Sequence, residues 1–67
     1  MRIQVNSEVR EVPSNLSLEE LVKYLSLAAE RIAIELNQNV VRRAEWSSTK
    51  LKADDRVEVV HFVGGGG

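Results

Sequence analysis

Along this chain the spacing of apolar residues changes period repeatedly, and each change marks a new element. Met1, Ile3 and Val5 alternate with Arg2, Gln4 and Asn6, the two-residue period of a strand with one buried face. Asn6-Ser7-Glu8 supplies turn formers, and Val9 to Val12 is a second extended run that stops at Pro13. This segment predicts a hairpin. Val9 and Val12 have opposite parity, which leaves the register of the second strand open.

The period then lengthens. Ser17 followed three residues later by Glu20 is a capping box, in which each side chain accepts from the other residue's backbone N–H, and Leu16 and Leu21 sit where a hydrophobic staple needs them. Leu18, Leu21, Val22, Leu25 and Ala28 follow as one helical stripe, with Glu19, Glu20 and Lys23 facing away. In so short a chain that stripe is read as core, because no other segment is available to cover a sheet. From Ile32 the period returns to two: Ile32, Ile34 and Leu36 against Ala33, Glu35 and Asn37. Asn37-Gln38-Asn39 reads as a turn, since asparagine tolerates positive φ, and Val40-Val41-Arg42 as a short returning strand. Arg43 to Lys52 shows no clear period; Trp46 within it is expected to pack over an edge of the core, with ligand stacking as the alternative. Arg42 and Arg43 are read as a solvated pair.

Ala53-Asp54-Asp55 predicts a turn, and Arg56 to Val63 the last strand. If Val57 and Val59 face the helix, Val60 and Phe62 share the outer face with Arg56 and Glu58. A bulge would bury one of the two; without one they form an exposed apolar cluster of the kind that marks a contact site. Hairpin, helix, returning hairpin and terminal strand correspond to an α+β, ubiquitin-like β-grasp fold, a mixed sheet of four to five strands with one main helix on one face. In that arrangement the last strand lies mid-sheet, parallel to the first. Residues 1–63 are expected to form a single domain, and Gly64, Gly65, Gly66 and Gly67 a flexible C-terminal tail.

Composition narrows the function. Sixty-seven residues allow one modest core and no large pocket. A formal charge of -1 gives no basic field for nucleic acid, the absence of cysteine removes disulfides and thiolate metal sites, and no apolar run suits a membrane span or a signal peptide. A cytoplasmic location, a monomer when free, and no bound cofactor are the expectations. Inside the domain no constellation looks catalytic. His61 is the sole histidine and, with the parity of Val57 and Val59, is expected to be structural. The glycine run lacks the Lys and Ser or Thr of a phosphate loop. What remains is the carboxylate of Gly67 on side-chain-free backbone that reaches about 13–14 Å when extended, enough to enter a narrow active site. An ionised carboxylate resists nucleophiles, and adenylation would give it a leaving group.

These features resemble a known family. Asn37-Gln38-Asn39-Val40-Val41-Arg42-Arg43-Ala44-Glu45-Trp46, then Asp55-Arg56-Val57-Glu58-Val59-Val60 and the glycines, look like the ThiS family of thiamine-biosynthesis sulfur carriers, over nearly the whole chain. The resemblance implies a carrier protein and co-substrate rather than an enzyme. The Gly67 carboxylate would be adenylated by an E1-like adenylyltransferase using ATP and Mg²⁺, converted to a thiocarboxylate by a persulfide sulfur donor, and drawn on by thiazole synthase. Gly66 would keep the tail narrow, and Val60, Phe62 and Val63 would meet the partners. Three departures from the family pattern stand out: Arg42 where proline is common, Ala53-Asp54-Asp55 where Asp-Gly-Asp is common, and four glycines rather than two. Asp54 accepts positive φ at modest cost, so the turn survives. The competing readings are a molybdopterin-synthase small-subunit-like carrier, a ubiquitin-like protein modifier joined through Gly67, and an inert interaction module.

Overall fold

A computed structural model describes residues 1–62. Strand β1 (Arg2–Val5) and strand β2 (Glu8–Glu11) form the predicted hairpin, with Val5 opposite Glu8 and only Asn6 and Ser7 between them. Both turn residues have positive φ, 50° and 70°, the type I′ geometry whose twist matches that of the strands it joins. Val9 stands opposite Gln4 on the outer face and is 60% exposed, whereas Val12 lies beyond the strand and is buried.

Helix α1 (Leu18–Tyr24) starts at the capping box, with the Glu20 N–H donating to Ser17 Oγ and the Ser17 N–H to Glu20 Oε1. It ends sooner than the apolar stripe suggested. Ser26 takes φ 58°, its N–H donates to the Lys23 carbonyl, and the Leu27 N–H reaches back to the Val22 carbonyl, a Schellman closure. Ala28 therefore falls outside the helix and is exposed, a correction to the stripe, while Leu25 and Leu27 pack against the core from the connection. A 3₁₀ turn at Ala29–Arg31 leads into strand β3 (Ile32–Leu36) and strand β4 (Asn39–Val41). Their hairpin turn is Asn37 and Gln38, at φ 51° and 73°, so Asn39 belongs to the strand rather than the turn.

The passage without clear period is a 3₁₀ helix, Arg43–Ser48, that buries Trp46. The Trp46 indole N–H donates to the Val41 carbonyl at 3.0 Å. Arg43 lies over its ring at 5.5 Å and donates to the Ala29 carbonyl. Trp46 is thus a core residue whose polar handle is spent internally, and Arg42 and Arg43 are both exposed, as expected of a solvated pair, Arg43 serving also as a tether. Asp54 adopts φ 71° in the turn before strand β5 (Arg56–His61).

The strand order is β2-β1-β5-β3-β4, with β5 parallel to β1 and antiparallel to β3. This is the expected β-grasp arrangement, with the last strand in the middle. One face is covered by α1 and the Trp46 segment; Ile3, Ile32, Ile34 and Val57 from the sheet meet Leu18, Leu21 and Val22 from the helix there. Leu51 joins them, because the Leu51 N–H donates to the Leu16 carbonyl and draws that stretch beside the helix start.

Candidate functional site

Strand β5 carries the chain toward the glycines, and its alternation assigns its side chains to two faces. Val57 faces the helix and is 0% exposed; Val60 and Phe62 point to the open face and are 50% and 52% exposed. No bulge interrupts the register, which runs from Leu36 opposite Val57 to Ile32 opposite His61. The expected apolar cluster therefore exists. Ala33 lies opposite Val60, and on β4 Val40, 71% exposed and opposite Glu35, adds to the same face.

Val63 and Gly64, Gly65, Gly66 and Gly67 lie outside the described residues, so the structure places the root of the proposed tail and not its reacting end. His61 stands at the sheet end as read, but exposed rather than packed. It edges a cavity of about 210 Å³ lined also by Val5, Asn6, Glu8, Arg10, Leu25, Leu27 and Val59. That cavity opens on the helix side of the sheet, opposite Val60 and Phe62. Among the described residues no group of three or more His, Cys, Asp or Glu side chains is gathered as metal ligands would be, and no helix is long and apolar enough to cross a membrane.

What the sequence reading missed is how β5 is held. Asp55 is buried just before it and accepts from Asn37 Nδ2 at 3.1 Å and from the Lys52 N–H at 2.8 Å. Buried carboxylates are tolerated when hydrogen-bonded in this way. Asn37 Oδ1 accepts the Arg56 N–H at 2.9 Å, and Asn6 Oδ1 accepts the Val59 N–H at 2.7 Å. In the sequence each asparagine has the signature of a turn former, with no mark of a bond to β5. The signal that hints at more is the repetition: both hairpin turns open on asparagine, with Ser7 and Gln38 following.

The model of the ThiS family matches residues 3–66. Of relatives by sequence, a thiazole synthase of Magnetococcus marinus is 41% identical over 66 residues, 98% of this chain; the chain spans about a fifth of that relative's length (20%). The ycf40 protein of Porphyra purpurea is 41% identical over 64 residues, covering 96% of this chain and 90% of the relative. By structure, the chain is similar to the crystal structure of a thiamine biosynthesis protein (ThiS) from Geobacter metallireducens. There the TM-score is 0.88 at 36% identity, over 98% of this chain and 100% of that one.

Proposed function

The chain belongs to the ThiS family, and from that premise we propose that it carries sulfur for thiamine biosynthesis on the carboxylate of Gly67. The β-grasp unit is the handle and Gly64–Gly67 the arm. An E1-like adenylyltransferase transfers AMP from ATP, with Mg²⁺, to the Gly67 carboxylate. The outer sulfur of a persulfide donor attacks the acyl adenylate and expels AMP. A thiol reductant then cleaves the S–S bond of the acyl disulfide so formed and is itself oxidised to a disulfide, and the thiocarboxylate released supplies thiazole synthase. ATP and Mg²⁺ belong to the activating enzyme, and the chain itself acts as co-substrate.

The observation that carries this reading is the placement of β5. A strand paired to β1 and β3 gives the glycine run a fixed root, and Val60 and Phe62, exposed beside that root, offer a surface by which a partner aligns the arm. Glycines pass through a narrow tunnel because they lack a Cβ.

Incubation with the activating enzyme, ATP and a sulfur donor, followed by mass measurement of the intact chain, tests the reading. The expected result is exchange of one oxygen for sulfur at Gly67, abolished when one alanine is appended after it. A wild-type chain that never gains sulfur refutes the proposal, and an alanine-extended chain that still gains it moves the chemistry away from Gly67.

A further inference from the structure

The asparagines that open the two hairpin turns act on β5 from opposite edges. On the β3 side, the Asn37 N–H donates to the Arg56 carbonyl at 2.8 Å while its Oδ1 takes the Arg56 N–H, adding a rung below the pair of Leu36 and Val57. On the β1 side, the Asn6 N–H donates to the Val57 carbonyl at 2.9 Å. In a parallel ladder the residue that does so takes the Val59 N–H with its own carbonyl. At Asn6 the chain has turned to φ 50° toward Ser7, and the side-chain Oδ1 receives the Val59 N–H instead, at 2.7 Å. Asn6 is 53 residues away from Val59 in sequence and replaces a rung that the main chain gives up in order to turn.

We propose that Asn6 is a positioning residue for sulfur loading: its side chain keeps β5 paired on both edges as far as Val59 and so fixes the direction in which the chain leaves the sheet toward Gly67. The inference rests on the carrier reading above. Beyond Val59 the pairing among the described residues is with the β3 side, through Ala33 opposite Val60, Ile32 opposite His61, and the Phe62 N–H on the Arg31 carbonyl at 2.8 Å. A strand held along one edge pivots about that edge more easily than one held along both. From Val59 to Phe62 the extended chain spans about 10–11 Å, so a pivot of about 10° moves Phe62, where the described chain ends, by about 2 Å, where reaction geometry tolerates about 1 Å.

Three variants of the full chain test this. Asn6→Gly keeps the positive φ and removes the carbonyl, Asn6→Asp keeps an acceptor in place, and Asn6→Gln displaces it by one methylene and serves if the glycine variant does not fold. Hydrogen exchange of the Val59 amide reports the bond, and the saturated rate and KM of oxygen-to-sulfur exchange with the activating enzyme, ATP and a persulfide donor report positioning. In Asn6→Gly the Val59 amide should exchange about 3–10 times faster, the range one lost hydrogen bond allows. The Ile34 amide should keep its rate. The saturated sulfur-loading rate should fall by a similar factor with KM little changed, because Val60 and Phe62 are untouched, and Asn6→Asp should restore both. Faster Val59 exchange with an unchanged loading rate overturns the proposal by making Asn6 a structural cap alone, and unchanged Val59 exchange overturns it by removing the bond. A wild-type chain that takes up no sulfur overturns the carrier reading and this inference together, an outcome distinct from equal loading of wild type and Asn6→Gly.

Discussion

The two faces of β5 differ more than any two elements of the molecule, although they share one backbone. Val57 is sealed against the helix, and Phe62, five positions on, is half exposed on the opposite face. On the covered face Val57, Ile34 and Ile3 are sealed from solvent by α1 and the Trp46 segment. On the open face Val60, Phe62 and Val40 are apolar and at least half exposed among the described residues, beside Glu58 and Glu35, which stand directly opposite each other. Opposed like charges destabilise a sheet slightly. The covered face is arranged for stability and the open face is not, a difference that fits the docking role proposed for Val60 and Phe62.

The sharpest way to break that contrast is to truncate the covered face. Ile34→Ala removes a side chain that is 0% exposed and should cost about 2–5 kcal/mol in urea unfolding, enough to unfold much of so small a domain. A loss under about 1 kcal/mol would mean the two faces are not as unequal as their burial indicates.

A smaller effect is expected at the cover itself, where the capping box starts α1. Ser17→Ala should cost about 1 kcal/mol. The box also makes stability depend on acid. The hydrogen bond from the Ser17 backbone N–H, aided by Lys50, holds the Glu20 carboxyl below its ordinary value of 4.5. A carboxyl held low when folded contributes stability that is fully present above the unfolded value and lost as the pH falls through the folded one. Unfolding curves taken downward from pH 6 should therefore show a decline beginning below about pH 4.5, shallower in Glu20→Gln; identical acid slopes would remove Glu20 from the account.

On the open face the effect on stability should be smallest. Phe62→Ala should change unfolding free energy by no more than about 0.5 kcal/mol and weaken binding to the activating enzyme by about tenfold, the scale of an interface anchor. Calorimetry of binding beside thermal melts separates the two. A large fall in melting temperature would place Phe62 in the core and erase the contrast.

The amino-acid sequence by itself determined the elements and their faces, because periods of two and 3.6 are local and the capping box, the asparagines in their role as turn formers and Asp54 act within a few residues. It also determined the parity that exposes Val60 and Phe62, and it carried the family motif. Three features were decided only by tertiary structure. Helix α1 closes at Ser26, where a serine takes the left-handed conformation usually given to glycine, and Leu25 and Leu27 turn inward from there. The seat of Trp46 is set by the Val41 carbonyl, which accepts its indole N–H, and by Arg43 over its ring. Strand β5 is splinted by Asn6 and Asn37 across 53 and 19 residues of sequence. A side-chain hydrogen bond between segments so far apart leaves no periodic trace in the chain; it appears only once the sheet has brought its partners into register.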